Sequence, residues 1–516
     1  MPNLAHVIAL LPLLAAIVIG AGLLTGKFCR VEHEAFTVAV AKGAIYLAAL
    51  LALLLPGLTS STEPVRAGVI TWFQSGEFSL DIVFAVGGMH TWLCVVFALV
   101  FVVVFRFAPQ YMHREAGFHR FFFFLCLFAF AMFLLVLSAS ALATFVAWEM
   151  AGISSWCLIA YNYKRTQAAA NATRVFLIQR AGDAGFLLGL TLMLLWVGNA
   201  DWLALHESAA TLSTLQATLL ALAFLLPACI KSAQFPFTPW LFRAMEGPTP
   251  SSTVFYGAVM IHAGVILLLL LQPVFERSLL AQVLLGVIGA LTALYGWLVG
   301  RSQTDIKSSL ACATATQAGL MFLECGIGLW QLALWHLLAH AVVRCFLFLR
   351  SPSILHNAHN LPVLPQTPPA IWLQAASLQQ FWLDPLLDWA LLRPVRRLAQ
   401  DLTWFENHVL DPLMGTPAPV VRRMSSLLQQ REGSIGARLD NEDDSFAQGS
   451  GLAGKLTDWI AVFSQWFEER FILQGVGRDM ISLGRHLGHA ANRFEQLLLR
   501  PRYLIVFILI TLLVAM

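Results

Sequence analysis

Charge is scarce in this chain. Only 12% of its 516 residues are Asp, Glu, Lys or Arg, against about 25% in ordinary soluble domains. That shortage excludes a solvated globular surface over most of its length. No CxxC pair occurs, and seven of the eight cysteines lie inside apolar runs, with Cys29 near a loop. A disulfide framework and a thiolate metal site are therefore not expected, and the cysteines read as small buried hydrophobes. There is no P-loop, no GxGxxG at a strand-to-helix turn, no GxSxG and no CxxCH. Nothing in the chain argues for nucleotide hydrolysis or a bound redox centre, and no cofactor, metal or nucleic-acid partner is expected. The N-terminus has neither a basic n-region nor an A-x-A cleavage site, so residues 4–24 read as a retained helix.

Apolar runs are what the chain has in abundance. Hydrophobic residues make up 58% of it, and the mean hydropathy is +0.73. Candidate membrane spans are 4–24, 36–55, 80–105, 119–138, 140–160, 172–197, 214–235, 252–271, 280–299, 307–325 and 329–350, with a shorter apolar run at 503–516. The expected fold is all-α and polytopic, with about twelve helices. With the N-terminus outside, the short inward loops carry Lys27, Arg30, Arg106, Arg114, Arg120, Lys164, Arg165, Arg243 and Arg301, and the outward loops only Arg66 and Arg277. This asymmetry puts residues 351–502 in the cytoplasm. That segment opens with a proline-rich connector. Two amphipathic stretches follow, about 371–412 and 455–500, separated by a flexible acidic linker. The stretches suit either a membrane surface or a docked partner protein.

The chain is organised around residues 231–252, KSAQFPFTPWLFRAMEGPTPSS. A hydrophobic helix arrives carrying Lys231 and then meets Pro236 and Pro239, which must break it. A break at membrane depth is tolerated only where protein or a wet cavity satisfies the freed backbone groups. An ammonium beside such a break is costly, which marks a functional position; the plainer alternative is a lysine snorkelling to the headgroups.

Other ionisable groups at membrane depth are Glu149, Arg180, Asp183, His262, Glu324, His336, His340 and Arg344. A row of them across consecutive helices reads as a polar axis. Arg180 and Asp183 share a helix face and can pair as a static salt bridge. Glu149 has no sequence neighbour to pair with. His336, His340 and Arg344 fall at i, i+4, i+8 along one stripe, and imidazole suits proton relay. For Glu324 taken alone, a structural role is expected.

WEMAGISSWCLI, QRAGDAGFLLGL, KSAQFPFTPWLFRAMEGPTPSS, QTDIKSSLACATATQAGLMF and WHLLAHAVVRCFLFL resemble, in order, the motifs of the proton-translocating antiporter-like subunits. That family includes the largest such subunit of respiratory complex I and the large subunit of multisubunit Na+/H+ antiporters. The resemblance implies two inverted five-helix repeats, each with a broken helix. It also implies that Glu149, Asp183 and Lys231 form a coupled charge site and that His336 and His340 relay protons. Three departures stand out. Tyr256 replaces a family histidine, with a new His262 six residues on. Arg344 replaces a relay lysine and cannot realistically pass a proton. The second broken helix expected after residue 360 does not appear, so the second repeat reads as truncated.

The shortened form resembles the DabB branch, membrane subunits of DAB inorganic carbon accumulation complexes. That resemblance implies a large soluble zinc-containing DabA-like partner related to carbonic anhydrases. The domains expected are an antiporter-like membrane domain over 1–355, a partner-docking cytoplasmic segment over 356–502 and a C-terminal helix over 503–516. The expected function is a non-enzymatic, proton-conducting subunit in a bacterial inner membrane, with Glu149, Asp183, Lys231, His262, His336, His340 and Arg344 on the path and Na+ as the alternative ion. The rival readings are a pump subunit of a complex I-like or hydrogenase complex, a Na+/H+ antiporter subunit, and a plain membrane anchor.

Overall fold

The computed structural model describes residues 3–26, 28, 31–59, 64–75, 78–351 and 368–405. The proline-rich connector, the acidic linker, the stretch 455–500 and the run 503–516 lie outside the described residues. The described chain up to Leu392 belongs to one compact unit, and a short helix, Arg393–Phe405, belongs to a second.

The first unit is a helical membrane body. Its long helices are α1 (Asn3–Leu24), α2 (Glu34–Leu58), α3 (Gly88–Tyr111), α4 (Phe118–Leu137), α5 (Ala141–Ile159) and α6 (Thr166–Val197). A short α7 (Trp202–Ser208) leads to α8 (Thr214–Lys231). Ten described segments are long and apolar enough to cross a membrane by length and composition. α4 lies at the centre, with nearly every side chain buried and Phe122, Phe128 and Phe133 packed edge-on or tilted against Phe101, Phe105 and Phe255.

The third span begins later than the hydropathy of residues 80–105 indicates. Residues 65–75 and 78–86 form an antiparallel hairpin, β1 (Val65–Ser75) and β2 (Phe78–Val86), paired from Val65 opposite Val86 to Ser75 opposite Phe78. Gly87 and Gly88 then take positive φ angles of 94° and 50°, a conformation that glycine adopts freely, and the helix starts there. A short β-branched run such as IVFAV has no periodicity that separates a strand from a helix.

The broken helix also ends earlier than the sequence indicates. α8 stops at Lys231, and the chain does not regain a helix until α9 (Trp240–Ala244). Ala233 sits at φ 50° and the Phe235–Pro236 bond is cis. Four backbone groups at the break have protein partners. Gln234 N–H donates to Cys229 O at 2.8 Å, and Trp240 Nε1 donates to Ile230 O at 2.8 Å. Phe235 N–H donates to Thr292 Oγ1 at 2.8 Å, and Thr238 Oγ1 donates to Ala233 O at 2.9 Å. These bonds meet the requirement that irregular backbone at membrane depth be enclosed by protein.

The next crossing, residues 249–270, is wholly buried and irregular. It runs through α10 (Thr249–Ser252), a π turn (Thr253–Ala258), a 3-10 turn (Met260–His262) and α11 (Ala263–Leu270). A one-turn α12 (Gln272–Glu276) precedes α13 (Leu279–Gly300), α14 (Ile306–Gly326) and α15 (Trp330–Leu349). α13 turns Leu280, Val283, Val287, Leu291 and Leu294 outward and its glycines toward α14. A Cβ on Gly289 would lie 2.4 Å from Leu323 N, and one on Gly319 2.6 Å from Ala293 N. Small residues allow this backbone approach, the usual basis of helix pairing in lipid. α14 carries Lys307, Gln317 and Glu324 in its sequence and packs closely along α13.

After residue 367 the unit continues with α16 (Pro368–Leu378) and α17 (Leu383–Leu387). Arg174 on α6 pairs with Asp384 at 3.3 Å and with Asp388 at 3.0 Å, and Arg243 on α9 pairs with Asp384 at 2.8 Å. Leu383, Leu387 and Leu392 are buried beneath that clamp, while Trp372, Trp382 and Trp389 are exposed.

Candidate functional site

Lys231 is 1% exposed. It is the last residue of α8, so the break delivers its side chain into the body instead of continuing the helix outward. Its Nζ donates to Trp148 O at 3.2 Å and to Gln179 Oε1 at 3.3 Å, and lies 5.1 Å from the centre of the Trp148 ring. A snorkelling lysine would reach for headgroups; this one is enclosed by α5 and α6.

Arg180 stands between two carboxylates. Its Nη1 pairs with Glu149 on α5, and its Nε lies 2.9 Å from Asp183 Oδ2 one turn along α6. Asp183 Oδ1 also accepts a hydrogen bond from Trp148 Nε1 at 3.1 Å. The i, i+3 pairing of Arg180 and Asp183 is therefore present, and Glu149, alone in its sequence neighbourhood, finds its partner on the next helix. Two cations and two carboxylates form a charge-balanced quartet, the arrangement in which buried charges are tolerated. Gly152 makes room for it. A Cβ there would lie 3.2 Å from Arg180 Nη2, 3.4 Å from Lys231 Nζ and 3.5 Å from Gln179 Oε1. Both cations thus border one glycine, and moving a proton onto or off Glu149, Asp183 or Lys231 changes the field at the others.

A second group lies on the 3-10 turn before α11 and on α14 and α15. His262 Nε2 and His340 Nδ1 are 2.8 Å apart, and Arg344 Nε–H donates to His340 Nε2 at 3.0 Å. His262 is 0%, His340 6% and Arg344 8% exposed. The His336 ring lies 6.2 Å from that of His340, and it bonds Glu324 Oε1 at 2.9 Å and the Gln317 side chain at 2.8 Å. Glu324 is thus tied to the histidine stripe. The two groups meet at one point: Ser232, which follows Lys231, donates its hydroxyl to the carbonyl of Ile261, which precedes His262, at 2.6 Å.

All seven residues expected on the path, with Arg180 and Glu324, fall into these two groups. Sequence reasoning missed Trp148, Gln179, Gln317 and Gly152. The signal that could have found the two glutamines is the same one that found the charges, a polar side chain in an apolar helix at a helical spacing from a charge. Gly152 falls at i+3 from Glu149, which places it on the same face. Among the described residues no cluster of His, Cys, Asp and Glu could hold a metal ion.

Two family models match the chain. NADH:quinone oxidoreductase/Mrp antiporter, TM, matches residues 138–368, and NADH-ubiquinone oxidoreductase (complex I), chain 5 N-terminus, matches residues 72–122. Together they span more than half of the chain. The chain is 34% identical over 380 residues to NAD(P)H-quinone oxidoreductase chain 5 of Synechocystis sp., covering 70% of this chain and 55% of that protein. It is 33% identical over 371 residues to NADH-quinone oxidoreductase subunit L of Rhodobacter capsulatus, covering 69% and 51%. It thus spans about half the length of the curated relatives it matches. Among solved structures, a chain of the Mrp complex from Dietzia sp. superposes with a TM-score of 0.58 at 26% identity, over 66% of this chain and 37% of that one. The archaeal membrane-bound sulfane sulfur reductase shares the fold, with a TM-score of 0.57 at 19% identity over 74% and 80%.

Proposed function

The chain belongs to the antiporter-like family of membrane subunits found in NADH:quinone oxidoreductases and Mrp complexes, and from that membership we propose that it conducts protons within a multisubunit membrane complex. One observation carries the reading. An ammonium at the end of a broken membrane helix, Lys231, is 1% exposed and shares a glycine-lined site with Arg180, Glu149 and Asp183. A plain anchor has no need to bury such a quartet. The path would run through Glu149, Asp183 and Lys231 to His262, His340, His336 and Arg344, with Na+ as the alternative ion.

The complex we infer accumulates inorganic carbon. Protons moving down the proton-motive force would be coupled to CO2 hydration in a large soluble zinc-containing partner of the DabA type, trapping bicarbonate. The chain itself would be a transport subunit and the partner would carry the chemistry. Two features support this. The sequence following α15 carries no second broken-helix motif, and Asp384 and Asp388 clamp the segment 368–392 to the body, with Trp372, Trp382 and Trp389 exposed. In this reading the chain sits in a bacterial inner membrane, N-terminus periplasmic, with residues 351–502 cytoplasmic and available for docking. The names of the relatives favour a second reading, a proton-pumping subunit of a complex I-like assembly.

Affinity purification of the tagged chain with mass spectrometry separates the two. A large zinc-binding soluble protein supports carbon accumulation, and quinone oxidoreductase subunits overturn it. Proton conduction is tested by Lys231→Ala and Glu149→Ala, each expected to reduce proton uptake in vesicles to background while the protein stays in the membrane. Wild-type uptake in both variants would end the relay reading.

A further inference from the structure

The hydrogen bonds around His340 have a direction that the chemistry of Arg344 dictates. A guanidinium N–H only donates. Arg344 Nε lies 3.0 Å from His340 Nε2, so that nitrogen is the acceptor and the ring of neutral His340 carries its proton on Nδ1. His340 Nδ1 lies 2.8 Å from His262 Nε2, so this nitrogen accepts in turn, and the His262 proton sits on Nδ1. There it donates to Ala258 O at 3.1 Å. That carbonyl is open because the backbone N–H of His262 turns instead to Val259 O at 3.1 Å, where the π turn gives way to the 3-10 turn. All four ring nitrogens of the pair are thereby committed, in one order, from Arg344 to Ala258.

We propose that Arg344 sets the tautomers of His340 and His262 and gates the pair, which takes up a proton only when Arg344 releases His340 Nε2. The released lone pair binds the incoming proton, and the pair then holds one extra proton across the His340–His262 bond; no other bond forms or breaks. The charged and titratable neighbours in this arrangement are Arg344 itself and His336, with Glu324 behind it; the neutral Gln317 also bonds His336. Arg344 is a positioning residue here and never carries the transferred proton. The purpose of the gate rests on the proton-conduction reading, but the tautomer order does not.

Solid-state NMR of the full-length protein in lipid, labelled with 15N and 13C at histidine, reads the tautomers directly. His340→Gln and His262→Gln assign the signals. At neutral pH the wild type is expected to show both rings neutral and protonated on Nδ1. Arg344→Met is expected to convert His340 to a mixture containing the Nε2–H tautomer or the imidazolium, and Arg344→Lys, whose ammonium also only donates, to restore the wild-type signature. An Nε2–H or imidazolium His340 in the wild type overturns the proposal, as does an unchanged spectrum in Arg344→Met. Should the Met variant fail to fold, the wild-type spectrum decides alone. None of these outcomes depends on transport, so failure of the gate and failure of the conduction reading are separable.

Discussion

Ser232 donates its hydroxyl to the carbonyl of Ile261 at 2.6 Å, and this bond places Lys231 and His262 on either side of one junction between α8 and α11. The approach is close: a Cβ on Gly264 would lie 2.3 Å from Ala228 O and 2.4 Å from Ser232 Oγ. Ser232 is fully buried, and removing its hydroxyl costs about 1 kcal/mol for a hydrogen bond of this type. Ser232→Ala is expected to fold with a small drop in melting temperature and to lose much of its proton uptake in vesicles. Unchanged uptake would mean that the charge quartet and the histidine group work independently.

Gly152 separates stability from function. Alanine is the better helix former by about 0.5–1 kcal/mol, so Gly152→Ala is expected to hold or slightly raise the melting temperature. Its Cβ would press on Arg180 Nη2 and Lys231 Nζ at 3.2 and 3.4 Å, and proton uptake should fall. Gly152→Val, which adds two methyls among the same groups, should abolish uptake. Full uptake in the valine variant would show that the spacing of the two cations does not matter.

The glycines of α13 and α14 offer a purely structural test. A side chain at Gly289 would meet backbone at 2.4 Å, and overpacking of this kind costs about 1–3 kcal/mol. Gly289→Ala is expected to lower the melting temperature in detergent. Gly43→Ala on α2, where nothing lies within 4 Å, should leave it equal or raise it. The reverse ranking would contradict the tight pairing of α13 with α14.

Arg344→Lys should retain most proton uptake and Arg344→Ala should lose it. Lysine keeps both the positive field and a donor within reach of His340, although the planar fork is lost. Alanine leaves His340 Nε2 buried without its donor, at a cost of about 1–3 kcal/mol. Equal loss in both variants would show that the guanidinium geometry itself is required.

Much of the membrane body was legible because hydropathy and helical spacing are local signals. The spans on α1, α4, α5 and α13 fall within a few residues of their sequence positions. The break after Lys231 was legible from its prolines, but not its position, because Ala233 adopts a left-handed turn that no residue type there announces. The β-hairpin escaped because a short apolar strand and a helix start look alike. At the site, the residues with chemistry could be named one by one, and the pairing of Arg180 with Asp183 followed from their spacing. Glu149 with Arg180, and His262 with His340, could not be paired from spacing, since each contact joins two different helical segments and depends on how those segments pack.

The segment 368–392 presents three tryptophans outward. Arg174 and Arg243 hold Asp384 and Asp388, which fixes the segment on the body and leaves Trp372, Trp382 and Trp389 at 63%, 51% and 66% exposure. Aromatic residues held rigidly at a surface are common interface anchors, and three of them on a clamped segment make a small, preordered patch. Tryptophan is equally at home among lipid headgroups, so exposure alone does not decide between a docked protein and a lipid belt. Replacing Trp372 and Trp389 together by serine separates them. The fold should survive, because both indoles are mostly exposed. If the patch docks the proposed soluble partner, that partner is lost from the detergent-purified complex, and Asp384→Asn, which weakens the clamp, lowers its recovery too. A partner retained in full by the double variant would assign these tryptophans to the lipid surface and move the docking site elsewhere on the chain.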